Sequence, residues 1–181
     1  MRKRFWLALV CSLLFLCACA PLPPASETGQ LNVLGPPLKT FTIEGRMALR
    51  RAQRSDHLHF TWRHTPNDDD VLFTSPLGAG VAELTRDATS ARLMRPKQPP
   101  VVAANLPALA QQVVGAPLPL DALTEWLRGA RPALSGNVDG WTIEINDTTP
   151  YRQRRLLRAA TITRDDIELK LIVDDWQSDD D

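Results

Sequence analysis

The sequence predicts a mainly β domain, an antiparallel sheet with two helices laid on one face. Three observations carry that expectation. Apolar and polar residues alternate at period two from Phe41 onward. Two stretches at helical spacing interrupt them between Leu106 and Leu127, and the alternation then returns to close on Ile167, Leu169, Leu171 and Val173. Period two puts successive side chains on opposite faces of a strand, whereas i, i+3, i+4 spacing draws one stripe along a helix.

In the first strand Phe41, Ile43, Gly45, Met47 and Leu49 share a face, with Thr42, Glu44, Arg46 and Arg50 opposite. Leu58, Phe60 and Trp62 repeat the pattern against His57, His59, Thr61 and Arg63. Thr65 to Asp70 reads as a turn. Strands are expected over Val71 to Thr74 and Val81 to Leu84, around a turn from Ser75 to Gly80, and a shorter one over Ser90 to Met94. Pro96 to Pro100 reads as a connection. The first helix has Leu106, Leu109, Ala110 and Val113 in one stripe, Asn105 and Pro107 as start signals and Gly115 as a stop. The second opens at Pro119 and carries Leu120, Leu123 and Leu127 with Trp126 beside them. Asp121 and Glu125 lie early and Arg128 late, as the helix dipole favours, and Gly129 ends it. Trp141 to Ile145, Leu157 to Thr163 and Ile167 to Val173 complete a sheet whose apolar face the helices must cover.

Before Phe41 the chain obeys different physics. Arg2, Lys3 and Arg4 precede an apolar run from Phe5 to Leu16 and then small residues, the order of a secretory signal peptide. A spanning helix needs about 20 apolar residues, and this run is shorter. Residues 1–18 are therefore expected to be removed. Residues 19–39, with Pro21, Pro23, Pro24, Pro36 and Pro37, are expected to form a tether, and 40–181 the packed domain. Charge is balanced, 21 basic residues against 21 acidic, and loss of the first three cations leaves a slight acidic excess. No basic cluster dominates, so nucleic acid is not an expected partner. Cys11 and Cys17 leave with the signal, and the domain must be stable without a disulfide.

Signatures of catalysis are missing. There is no G-x-S-x-G elbow, H-E-x-x-H, paired C-x-x-C or P-loop, so neither enzyme activity nor a cofactor or metal is expected. His57 and His59 share the polar face of their strand, near Asp56 and His64, and are expected to meet water. Asp68-Asp69-Asp70 lacks the alternating spacing and distal Glu of a calcium loop and reads as a solvated turn. Asp179-Asp180-Asp181 reads as a frayed tail. Trp62, Trp126 and Trp141, with Ile143 and Leu169, are candidates to line an apolar cavity between sheet and helices. Rigid aromatics can hold such a pocket open, and a simply filled core is the other reading. Ser75-Pro76-Leu77-Gly78 fits a type I turn and puts Leu77 at the tip, where a polar residue is usual. A large apolar side chain there either folds back or asks for an apolar partner.

Leu16-Cys17-Ala18-Cys19 resembles the lipobox of bacterial lipoproteins, in which the cysteine is lipidated and becomes the mature N-terminus. Only Cys19 fits, because bulky Val10 precedes Cys11 and Leu16 precedes Cys17. An export signal cut near Ala20 is the plainer alternative. In that resemblance Ala20, in place of the Asp that marks inner-membrane retention in enteric bacteria, implies sorting to the outer membrane. From about Phe41 to Trp176 the domain is similar to the LolB family of outer-membrane lipoprotein receptors of Gram-negative bacteria. The residues that carry the similarity are Glu44-Gly45-Arg46-Met47-Ala48-Leu49, Phe60-Thr61-Trp62, Ser75-Pro76-Leu77-Gly78 and Gly115-Ala116-Pro117-Leu118-Pro119-Leu120. Leu123, Trp126-Leu127-Arg128-Gly129, Gly140-Trp141, Leu169, Leu171 and Trp176 follow in order. Cys17, Ala79 and the proline-rich Pro96 to Pro100 connection depart from the family pattern.

The resemblance implies an incomplete antiparallel β-barrel, a half-barrel covered by helices and enclosing a hydrophobic cavity for acyl chains. It implies a monomer, lipid-anchored through Cys19 on the periplasmic face of the outer membrane. Its partners would be the acyl chains of lipoproteins, the periplasmic lipoprotein carrier LolA and outer-membrane lipid. Pro76, Leu77 and Gly78 would form the loop used in membrane transfer. A structural lipoprotein that scaffolds the cell envelope without binding acyl chains is the alternative from another class.

Overall fold

The computed structural model describes residues 37–131 and 133–180. The expected signal segment, Cys19 and most of the tether lie outside the described residues. Among the described residues the order is β1 Phe41–Arg51, β2 Arg54–His64, β3 Asp69–Thr74, β4 Gly80–Arg86, β5 Ala91–Arg95 and β6 Gln98–Ala103. The helices α1 Leu106–Val114 and α2 Leu120–Leu127 come next, then β7 Ser135–Val138, β8 Trp141–Tyr151, β9 Arg154–Arg164 and β10 Ile167–Gln177.

The strands form one antiparallel sheet in the order β6-β5-β4-β3-β2-β1-β10-β9-β8-β7. Every neighbour but one follows in sequence. The exception is β1 with β10, paired from Thr42 against Gln177 to Arg51 against Ile167. A bulge at Glu44 and Gly45 in that pairing bends the sheet, as an extra residue on one strand does. β6 and β7 are the two edges and do not meet, so the sheet is a half-barrel and stays open. Pro99 and Pro100 have no N–H to donate, and β6 at the edge tolerates them.

Both helices lie over the concave side, α1 against β5 and β6 and α2 against β9. Asn105 caps α1 by accepting from the Ala108 N–H at 2.9 Å, and Gly115 ends it in the left-handed region. Leu106, Leu109 and Ala110 face the sheet, while Val113 sits at the exposed edge of that stripe. α2 buries Ala122, Leu123, Trp126 and Leu127. Between them the helices cover the inward residues of β10, Leu169, Leu171 and Val173, and those of β8 and β9, Trp141, Ile143, Leu157 and Ile162.

Four local expectations change. β6 is a strand where a proline-rich connection was expected. β7 was not expected at all, although Asp139-Gly140, both at positive φ between Val138 and Trp141, is a hairpin signal. Leu38, placed in the tether by its proline neighbours, is 1% exposed, and its N–H donates to the Arg128 carbonyl at 2.9 Å. Asp180 is not frayed: its carboxylate accepts from the Lys39 and Thr40 N–H groups and from the Thr40 hydroxyl.

Gly45 shows how tight the centre of the sheet is. A Cβ there would lie 2.1 Å from the Ile172 carbonyl oxygen and 2.8 Å from the Phe60 ring. The backbone oxygen cannot step aside without breaking the ladder. Gly45→Ala is expected to destabilise the domain by about 1–3 kcal/mol, the range for overpacking a filled site, read as a lower denaturant midpoint.

Candidate functional site: an apolar hollow and an exposed loop

Between sheet and helices lies a hollow of about 50 Å³. β1 contributes Met47 to it, β2 Phe60 and Trp62, β3 Asp69, Val71 and Phe73, β4 Leu84, and β10 Leu169 and Leu171. The helices contribute Leu106, Leu120 and Leu123. These residues come from strands far apart in sequence, brought together by the β1–β10 pairing. The volume is below the roughly 300 Å³ at which small-molecule sites begin, so a long apolar chain enters only if the helices or side chains shift.

Trp62 and Leu169 are on this lining. Trp126, Trp141 and Ile143 are not: they stand in the core between α2 and β7–β9, all but inaccessible to solvent. Trp126 lies over Gly136, its indole N–H donating to the Ala133 carbonyl at 2.8 Å, and the Trp141 indole donates to the Pro117 carbonyl at 3.0 Å. Those two bonds tie α2 and the segment before it to the β7–β8 side. Each satisfies a buried donor that would otherwise cost stability.

One polar group enters the hollow, and the sequence reading missed it. Asp69 was expected in a solvated turn, but it opens β3 and is buried. One carboxylate oxygen accepts from the Trp62 indole at 2.8 Å and meets His64 Nδ1 at 2.7 Å, and the other accepts from Arg86 Nε. The His64 ring stacks on Phe41, centroids 4.8 Å apart. Burial would raise the Asp69 pKa, but the hydrogen bonds from His64, Trp62 and Arg86 together outweigh it and hold the carboxylate below its usual range. The signal was in the alternation. His64 continues the inward parity of Phe60 and Trp62, and Asp69 that of Val71 and Phe73.

The β3–β4 loop is the second feature. The Gly78 N–H donates to the Ser75 carbonyl at 2.8 Å, closing the turn, and the Ala79 N–H reaches the Ser75 hydroxyl at 3.2 Å. Gly78 has φ of 84°, a conformation that favours glycine. Pro76 and Gly78 are exposed, and Leu77 at the tip is 97% exposed. It does not fold back. His57 and His59 stand exposed on the outer face of β2, and among the described residues no three His, Cys, Asp or Glu side chains form a metal-holding group. No helix of the described residues is long and apolar enough to cross a membrane.

The described domain is thus an open half-barrel with two helices over an apolar hollow. Residues 39–176 match the family model described as outer membrane lipoprotein LolB. The outer-membrane lipoprotein LolB of Thiobacillus denitrificans is 32% identical over 187 residues, covering 95% of this chain and 97% of that one. That of Dechloromonas aromatica is 32% identical over 198 residues, covering 98% of each. Among solved structures, a DUF1329 family protein from Desulfovibrio piger aligns with a TM-score of 0.50 and 10% identity, covering 78% of this chain and 86% of that one, a likeness of fold alone. The chain belongs to the LolB family of outer-membrane lipoproteins.

Removing Asp69 would leave a guanidinium, an imidazole and an indole N–H without their acceptor. Asp69→Ala is expected to cost about 3–5 kcal/mol, measured by denaturant unfolding. The sign of the pH dependence follows from the lowered pKa. The folded-state value lies below the unfolded one, so the contribution is full at neutral pH and drains away as pH falls below about 3.9 and through the folded-state value. Over that acid range the parent chain should lose more stability than Asp69→Asn, and parallel slopes would show that the carboxylate is not the linked group.

Proposed function

We propose that this chain is an outer-membrane lipoprotein receptor: it accepts lipoproteins from the periplasmic carrier LolA, holds their acyl chains between sheet and helices, and inserts them into the outer membrane. The observation that carries the reading is the apolar hollow, walled by a curved sheet on one side and by two helices on the other. Acyl chains cannot cross water bare, because each buried methylene is worth about 0.8 kcal/mol. A hollow of apolar side chains supplies the intermediate stop. Transfer then runs downhill, from carrier to receptor to bilayer.

At about 50 Å³ the hollow must widen to admit cargo. The two helices are held differently. α2 is bound to the segment before β1 by the Leu38–Arg128 bonds and to the β7–β8 side by Trp126 and Trp141. α1 rests on apolar contacts to β5 and β6, with the Arg51 guanidinium donating to the Val114 carbonyl at its end. Acyl chains enter as α1 lifts. Cys19 is the lipidated residue that stations the domain at the periplasmic face of the membrane, and the chain works as a monomer. Pro76 and Gly78 hold Leu77 outward to meet the bilayer during insertion. A scaffolding lipoprotein would need neither the hollow nor an apolar loop tip.

Reconstitution with cargo-loaded carrier and membranes tests the reading. Leu77→Asp should fold with an unchanged unfolding midpoint and accept cargo, but deliver several-fold less of it to membrane; normal delivery would sink the role given to the loop. An apolar fluorescent probe should bind the purified domain and be displaced by lipoprotein. If it does not bind, the receptor reading fails. Cys19→Ala should stay folded and take cargo, yet deliver it less selectively to the outer membrane.

A further inference from the structure

Among the described residues the large apolar side chains most open to solvent are Leu72, Leu77, Met94, Val102 and Val113. Four of these share one piece of the molecule. Leu72 is on β3, Leu77 in the loop after it, Met94 on β5 and Val102 on β6. On these strands Val71, Phe73, Leu84, Leu93 and Ala103 face the helices, so Leu72, Met94 and Val102, of opposite parity, face out. The register sets them side by side. Leu72 and Met94 both stand opposite Glu83, one on either side of β4, and Arg92 stands opposite Val102.

Charge on this patch has one dominant sign. No Asp or Glu occurs between Asp87 and Asp121, and Arg92, Arg95 and Lys97 fall in that interval. Glu83 is the only carboxylate in β4, β5 and β6, and on β3 the outward Asp70 is paired with Arg63 at 3.9 Å. No described residue forms an ion pair with Arg92 or Lys97; Arg95 shares the inward parity of Ala91 and Leu93, and its Nε is shut off from water, so it is not part of this face. Elsewhere on the outer face cations are neutralised, Arg46 by Asp174 at 2.9 Å and Arg158 by Asp147 at 2.7 Å. β3 and β5 run the same way, so the turn holding Lys97 lies at the same end of the sheet as the Leu77 loop.

Single apolar residues on a surface are ordinary. Here Met94 and Val102 stand on neighbouring strands beside the unpaired Arg92, Leu72 stands across Glu83 from Met94, and Lys97 and the apolar Leu77 tip lie at one end of the same sheet. We infer that the outer face of β3–β6 is a membrane-docking surface, which lays Met94 and Val102 against the bilayer interface and sets Arg92 and Lys97 on the phosphates of anionic lipids. The long stems of Arg and Lys lie along apolar surface while their heads reach the phosphates, the arrangement that interfacial segments use. The inference rests on the receptor reading and adds the chemistry of its membrane partner. In this pose the convex face lies on the lipid and Leu77 enters at its rim, leaving the helix side free for cargo.

The test uses residues 19–181 carrying Cys19→Ala, which contain the whole packed domain from Leu38 on. Cosedimentation is measured with phosphatidylcholine vesicles and with vesicles containing phosphatidylglycerol, with apolar-probe binding in parallel. The expected result is binding to the anionic vesicles, weakened by salt. It should fall about tenfold in Arg92→Glu with Lys97→Glu and several-fold in Met94→Asp, and stay unchanged in Lys170→Glu on β10. Probe affinity should be the same in all four, which shows that fold and hollow survive. If the parent chain ignores anionic vesicles, or the double variant binds them equally, the inference is overturned; intact probe binding then leaves the receptor reading standing. Normal vesicle binding by the double variant, joined to failure to accept cargo from the carrier, would assign the face to a protein partner and equally overturn it.

Discussion

The pairing of β1 with β10 is the contact on which the rest of the domain depends. It joins Phe41–Arg51 to Ile167–Gln177, the two ends of the packed chain, at the middle of the sheet. Each half is otherwise a meander of hairpins that can form locally, but neither alone has a concave face deep enough to bury two helices. Once β1 and β10 are side by side, Met47 on one and Leu169 and Leu171 on the other wall the same hollow. The bulge at Gly45, where the Phe60 ring and the Ile172 carbonyl leave no room for a side chain, adds curvature there. The long loop closure makes this pairing entropically costly. Asp180, accepting from the Lys39 and Thr40 N–H groups, holds the two ends of the packed domain together beside it, and Leu38 ties the first of them to Arg128 at the end of α2.

That geometry divides the molecule into an apolar concave side and a convex side that meets its surroundings. The hollow is lined by aliphatic and aromatic residues, and the one carboxylate among its described lining residues, Asp69, has its oxygens taken up by Trp62, His64 and Arg86. A polar group so thoroughly paired offers nothing to a passing ligand. Its work is to fix the β2–β3 turn and the Trp62 ring at the edge of the hollow. The indoles of Trp126, Trp141 and Trp176 do similar work by donating to carbonyls across elements. An aromatic-rich core is thereby rigid on the α2 side and less constrained where α1 rests on β5 and β6.

The convex side is uneven. Arg46 on β1 and Arg158 on β9 are paired with carboxylates, whereas among the described residues Arg92 on β5 and Lys97 in the turn after it have no ion pair, with Met94 and Val102 nearby. Because β3 and β5 run in one direction, this uneven region and the Leu77 tip point the same way. In the proposed receptor role one face would turn toward the cargo and another toward the membrane, and the two faces of one curved sheet would supply both.

Much of this was legible in the sequence. Alternation identified the inward residues of β1, β2 and β10, and helical spacing with its start and stop residues identified α1 and α2, because both signals are local. Leu77 stood out for the same reason, as an apolar residue in a turn. Less legible were the edges: β6 hid behind prolines that only an unpaired edge tolerates, and β7 is four residues long. The carboxylate at Asp69 read as solvent-facing because its partners, Trp62 and His64 on β2 and Arg86 on β4, lie on two other strands whose register the local pattern does not state. The sequence by itself determined which side of each strand is apolar, since that depends only on parity. Only the tertiary structure decided which of those apolar residues line a hollow and which fill a core, because that depends on which strands become neighbours and how far the sheet between them bends.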